Sequence, residues 1–439
     1  MIRKLFVSAL LCVAVANAQG NVGRYLGPGV LRRGVGDIGS RGGEQLDLRF
    51  YLGANGVVDT GYQSLATDSS GNLVNPGALV GVRLVGGVYG VHEWKRAQLG
   101  IDYTGDVRHY VGDSKYDNSS HSLRTGYTFR PNNRWIFDVR GGAAEYTRAY
   151  FAGVSDTGDP TLVAAANLTD SRYYGISSES TVTYQMSARN SVTFGGGIRY
   201  QQLKALTSSR TLGYNAIGGW SRRITAQTTI GVDYSFNHDA ARDNSFSSNS
   251  HSVGARYGIQ FGPAWQLNLT GGVFIADIDR NVALELDPAL AEIFGTKTLI
   301  IPSHLRKTGP SGSISLIRHV KGSSFGLSAS RSVASGAGSY TTSTSENGSI
   351  SYRYQAPRKW AGWIILSEYR TTAIGSSYGR YSATQLGSGF SYELWPSLHL
   401  VGSYDIRHLN VVFTGYSRNP SSASIGLDFS PGTIPLSFR

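Results

Sequence analysis

Within Ser119–Arg140, Leu123, Thr125, Tyr127 and Phe129 alternate with Arg124, Gly126, Thr128 and Arg130. After a Pro131-Asn132-Asn133-Arg134 turn, Trp135, Phe137 and Val139 alternate with Ile136, Asp138 and Arg140. A guanidinium is a permanent cation with a planar fork of donors, suited to carboxylates, phosphates and polar oxygens. The same every-second-residue setting holds Arg49, Arg83, Asp102, Arg199, Asp233, Arg256, Arg353, Glu368, Arg370, Asp405 and Arg407. The chemistry these groups could do is electrostatic rather than covalent. Arginine rows facing one water-filled space would favour negatively charged solutes, and carboxylates opposite would set a field across it. A second reading, in which the charges pair only to satisfy a polar wall, stays open.

Signals for catalysis are weak by comparison. Gly375-Ser376-Ser377-Tyr378-Gly379 matches the G-x-S-x-G pattern, but a nucleophile elbow needs a strand-to-helix turn, and this is a Gly/Ser loop in an all-β chain. Ser403, Asp405 and His408 are close in sequence without a partner geometry that singles them out. The nine histidines show no metal-ligand spacing, and no phosphate-binding loop is present. No catalytic residue, metal or cofactor is therefore assigned, and the chain is not read as an enzyme.

The elements that hold the charges are strands. A period of two means two environments, one on each face. Such segments recur about every 22 residues from Gln45 onward, and their connections alternate between short and long. About eighteen strands (16–18) are expected, and an even number returns both ends to the side of the short turns. All seven tryptophans (Trp94, Trp135, Trp220, Trp265, Trp360, Trp363 and Trp395) fall at or near expected short turns. Indole prefers a membrane–water interface, and β-barrels collect aromatics there into girdles. No apolar run after residue 18 approaches the ~20 residues of a membrane helix. The fold expected is all-β: a single transmembrane, antiparallel, up-and-down barrel over residues 44–439.

The chain begins with Arg3-Lys4, an apolar run, and Ala16-Asn17-Ala18, which reads as a signal peptide over residues 1–18. The only cysteine, Cys12, lies inside it, so the mature chain would have no disulfide. The formal net charge of +12 becomes +10 once Arg3 and Lys4 leave. Only eight of the 41 basic residues are lysine, and no basic block or nucleic-acid motif accompanies them, so nucleic acid is not an expected partner. Residues 19–43 read as a flexible, glycine-rich basic segment. In the longest connection, Ala276–Lys307, Asp287-Pro288 through Gly295 carries the cap signals of a short helix. This loop could cap the mouth or fold into the bore, where Glu285, Asp287 and Glu292 would oppose arginines as a constriction.

With these features the chain resembles bacterial outer-membrane porins. It is most similar to the β-barrel porin 2 type, some of whose members accompany exopolysaccharide secretion. The resemblance is one of architecture, carried by turns such as Phe129–Trp135 and by the closing strand Ile425-Gly426-Leu427-Asp428-Phe429. It implies an integral outer-membrane protein with periplasmic termini, with membrane lipid and the barrel-assembly machinery as partners. The implied function is passage or export of polar, including anionic, solutes such as saccharides through the arginine-lined lumen. A plugged barrel serving structure or surface interaction, and an outer-membrane hydrolase, are the competing readings.

Overall fold

The computed structural model describes residues 45–61, 66–67, 73–74, 77–112, 114–148, 172–204, 208–242, 245–262, 264–285, 298–320, 322–335, 342–355, 359–375, 380–411, 416–430 and 433–437. The expected signal peptide, the basic segment, the short helix with Asp287 and Glu292, and residues 376–379 lie outside them.

Eighteen long strands follow one another around a cylinder: β1 (Gln45–Thr60), β2 (Leu79–Glu93), β3 (Ala97–Tyr110), β4 (Asn118–Phe129), β5 (Trp135–Tyr146) and β6 (Arg172–Gln185). Then come β7 (Asn190–Lys204), β8 (Ser208–Arg223), β9 (Thr228–Ala241), β10 (Phe246–Phe261), β11 (Trp265–Glu285) and β12 (Thr298–Val320). The circuit ends with β13 (Ser323–Ser335), β14 (Thr342–Gln355), β15 (Trp360–Ala373), β16 (Arg380–Trp395), β17 (Leu398–Val411) and β18 (Ser421–Phe429). Each strand pairs antiparallel with its sequence neighbours, and β18 pairs with β1 from Leu52↔Phe429 to Thr60↔Ser421, which closes the barrel. Closure leaves no sheet edge across the cylinder, the condition for a sheet to exist in lipid. Among the described residues the only helical turn is a 3-10 turn at Ser114–Tyr116.

The two faces differ as the alternation requires. Leu52, Leu84, Phe194, Ile198 and Ile425 are 56–62% exposed, and they share one face of the wall. On the opposite face Asp59, Asp106, Asp239 and Asp428 are at most 5% exposed. Side chains converge on the concave face of a cylinder and shield one another, whereas they diverge on the convex face. The polar face is therefore the lumen, and the apolar face points outward.

After β18 the segment Thr433–Ser437 continues along β1, pairing Arg49↔Thr433 through Gln45↔Ser437. Its register with β1 is one residue out from that of β18. Among the described residues this segment is in register with β1 alone, an edge position that tolerates Pro435. The pairing brings both described ends to the short-turn rim.

On the opposite rim several expected long connections shrink, because the strands run on. The link expected over Lys204–Arg210 is only 205–207, with Lys204 paired to Ser208. The expected Ala276–Lys307 loop is largely a ribbon, with Ala276↔Lys307 through Glu285↔Thr298 all in register. Glu285 thus closes a ladder, and only residues 286–297 are left to connect the two strands.

Candidate functional site

The luminal wall holds most of the expected charges and pairs many of them locally. Arg140 Nε meets Asp138 at 2.7 Å, Arg199 Nη2 meets Asp239 at 2.8 Å, and Arg256 Nη2 approaches Asp233 at 3.4 Å. Asp138 also accepts a hydrogen bond from the Thr128 hydroxyl at 2.8 Å. Asp102 sits directly across the ladder from Arg124, and Arg49 across from Tyr89, which in turn opposes Asp102. Arg353 shares the luminal face, since its neighbours Tyr352 and Tyr354 are both exposed outward.

The densest cluster spans the closing seam and includes three residues absent from the sequence-based set: Asp59, Asp106 and Arg108. Arg83 stands directly opposite Arg108 in the ladder, an arrangement that like charges disfavour. Acids above and below compensate. Asp106 binds Arg83 Nε and lies 3.5 Å from Arg108 Nε, while Asp59, fully buried, accepts from Arg108 Nη1 at 3.0 Å and from the Tyr110 hydroxyl at 2.5 Å. Across the seam Arg407 Nε donates to Asp405 at 2.8 Å, and Gln385 donates to the same carboxylate. Val57, Arg83, Arg108, Ser403, Asp405, Arg407, Ser422 and Ser424 enclose a recess of about 150 Å³ here.

Arg370 is a correction. It has the same parity as Ile364 and Leu366, which are 47% and 46% exposed on the convex face, and so does Glu368. Both leave the lumen. Arg370 lies 3.8 Å from Glu346 and 3.9 Å from Glu368, and Arg331 reaches Glu346 at 3.5 Å. A charge facing lipid costs ~2–4 kcal/mol at mid-membrane but little at the interface, which fits a network at the long-loop ends of its strands.

Trp363 is a second correction. Trp360 faces outward and is 54% exposed, and three residues further on is the opposite face. A Cβ on Gly389 would lie 2.5 Å from Trp363 Nε1, so the indole lies across luminal glycines. The remaining six tryptophans lie on the outer face at the short-turn rim, where Trp94, Trp135, Trp360 and Trp395 are 38–65% exposed. Trp395 gets there through a register shift between Glu393 and Trp395, without which it would share the luminal parity of Glu393. Arg318 caps Trp265 at 4.9 Å. Single-tryptophan proteins in bilayers test this placement: brominated lipid is expected to quench Trp135 strongly and Trp363 weakly, with aqueous acrylamide giving the reverse order.

Near the long-loop side the wall carries buried apolar clusters, and of the expected acidic loop Asp287 and Glu292 lie outside the described residues. Val57, Leu79, Tyr110 and Tyr116 form one buried cluster, and Tyr369, Tyr381 and Leu409 another. The β11–β12 ribbon leans across the ends of β13–β15. Its Phe274, Ala276, Ile278 and Leu305 pack against Val333 and Ile374, and Arg280 Nη2 donates to the Gly375 carbonyl at 2.9 Å. Gly375 has φ 78°, a left-handed conformation that suits glycine at this contact. In the β3–β4 connection, desolvation raises the pKa of Asp117. Hydrogen bonds from His109 and the Tyr110 amide, aided by the charges of His109 and Arg148, outweigh it and hold the carboxyl below its usual range.

No protein-family model and no curated protein matches the chain. Among solved structures it is similar to the outer membrane protein OpdK from Pseudomonas aeruginosa, with 12% identity, a TM-score of 0.40, and coverage of 88% of this chain and 99% of that one. Similarity to Pseudomonas aeruginosa OpdQ is at 7% identity and TM-score 0.40, covering 89% and 98%. The siderophore receptor PirA from the same organism is matched at 10% identity and TM-score 0.38, covering 89% and 81%.

Proposed function

We propose that the chain is a porin-like outer-membrane channel through which polar solutes pass. The observation that carries this reading is the closed barrel of eighteen strands with an apolar outer face and a charged inner one. Barrels of this strand number are too wide for side chains to fill and leave a lumen. Strands of 12–16 residues, the commonest length here, exceed the ~9–11 tilted residues needed to cross a bilayer. Tryptophans gather at the short-turn rim, which supports placing that rim and both termini on the periplasmic side, with a leader over residues 1–18 directing export. Membrane lipid and the barrel-assembly machinery are the partners this reading requires.

Within that reading, the finer proposal is passage or export of saccharides, including anionic ones, as in exopolysaccharide-associated barrels. The arginines Arg49, Arg124, Arg140 and Arg353 support a preference for anions. Pairing with Asp138, Asp233, Asp239 and Asp405 argues that the preference is small, because a compensated cation attracts little at a distance. Planar-bilayer recordings in a KCl gradient test it. The wild type should pass stepwise current with a modest anion preference, and Arg124→Glu with Arg140→Glu should reverse the sign of the zero-current potential. Unchanged selectivity would defeat the anion part, and absence of any current from assembled protein would favour the plugged barrel.

A further inference from the structure

We propose that the recess at the closing seam is a binding subsite for a neutral, hydroxyl-rich ring, such as one hexose unit of a saccharide. The inference rests on reading the lumen as a solute pathway and names what this part of the wall recognises. Three guanidinium groups border the recess, which on a simple count would suggest an anion site. Each, however, already has a carboxylate: Arg83 has Asp106, Arg108 has Asp59 at 3.0 Å and Asp106 at 3.5 Å, and Arg407 has Asp405 at 2.8 Å. Three cations against three carboxylates leave the recess without net charge. An incoming carboxylate or phosphate would gain little Coulomb energy and would meet fixed negative groups at close range.

A hydroxyl-rich ring meets no such penalty. Each sugar hydroxyl both donates and accepts, and the recess supplies both functions side by side. Guanidinium groups donate, Asp405 accepts, and the serine hydroxyls do either. Ser403 and Ser424 are 2.7 Å apart and hydrogen-bonded to each other across the β17–β18 ladder, which leaves one hydroxyl proton and further lone pairs for another partner. Few polar groups at fixed positions around a small concavity are the usual composition of a small-molecule site. The fixed ion pairs keep that polar pattern in place before a ligand arrives, which lowers the ordering cost of binding.

The test uses the full chain in detergent micelles, with methyl α-D-glucopyranoside and sodium glucuronate as probes, read by saturation-transfer NMR and calorimetry. The glucoside should bind, with an affinity unchanged when KCl is raised tenfold. Ser424→Leu, which fills the recess, should weaken it at least tenfold while single-channel current persists. Should that variant fail to assemble, Ser422→Leu makes the same prediction. Tighter glucuronate binding that weakens with salt would overturn the proposal, because the recess would then be reading charge. Equal glucoside binding by the filled variant, or none by the wild type, would overturn it as well. Loss of current in the wild type would instead count against the channel reading, and the binding arms would still decide the subsite.

Discussion

Gly426→Val is expected to prevent the barrel from closing. Gly426 lies on the luminal face of β18, opposite Asn55 of β1 and Val401 of β17. A Cβ there would stand 2.2 Å from the Ala54 carbonyl oxygen and 2.5 Å from Asn55 Cα. Both are backbone atoms of the strand that completes the cylinder, so no rotamer change relieves the clash. Overpacking a core usually costs ~1–3 kcal/mol, and a clash with the backbone of the closing strand belongs at or above the top of that range. Gly271 makes the control, since a Cβ on it would meet nothing within 4 Å. After refolding into micelles, unheated electrophoresis should show a compact folded band for wild type and Gly271→Ala. For Gly426→Val that band should be nearly absent. A normal yield would mean that β1 and β18 do not meet in this register.

The second large effect is expected at Asp59. Its carboxylate is fully buried and receives both Arg108 and the Tyr110 hydroxyl. Removing one partner of a buried pair typically costs ~3–5 kcal/mol, because the other charge stays behind in a medium that solvates it poorly. Asp59→Ala should therefore lower the urea midpoint sharply. Asp59→Asn keeps an acceptor for Tyr110 but not the charge, and should fall between it and wild type. Glu145, whose ion pair with Arg172 is exposed, provides the contrast: Glu145→Ala should cost under ~1 kcal/mol. Equal effects at both sites would show that water reaches Asp59 as freely as it reaches Glu145.

The architecture was legible in the sequence because a barrel repeats one short-range signal many times. Alternation, turn position and an even strand number need no knowledge of distant contacts, and they lead directly to eighteen strands with the described ends together. Positions failed where alternation itself lapsed. Trp363-Ile364-Ile365-Leu366 is apolar throughout, so the phase of β15 is ambiguous from composition, and Arg370 followed the wrong one. Trp363 was decidable, since an odd spacing from Trp360 already separates their faces. Trp395 depends on a bulge that its own strand does not announce.

The seam cluster shows a different limit. Asp106 and Arg108 alternate with Tyr103, Gly105 and Val107, so their face could have been inferred. The partnership of Arg108 with Asp59 could not, because it joins residues 49 positions apart through a three-strand register. The same holds for Arg199 and Asp239, 40 residues apart across β7, β8 and β9. Compensation of the luminal arginines is thus a property of register, and the sequence alone suggests a more positive lumen than the fold supplies. Of the residues expected to form an acidic constriction, Glu285 ends the paired β11–β12 ribbon, and Asp287 and Glu292 lie outside the described residues.

Cysteine labelling of adjacent residues in protein reconstituted into liposomes puts the two-faced wall to the most direct test. In a Cys12→Ser background, a membrane-impermeant maleimide should modify Ser422→Cys and Ser424→Cys within minutes and leave Ile425→Cys and Leu427→Cys almost unlabelled. Uniform labelling of all four, or the opposite order, would contradict a lipid-facing apolar surface wrapped around a wet interior.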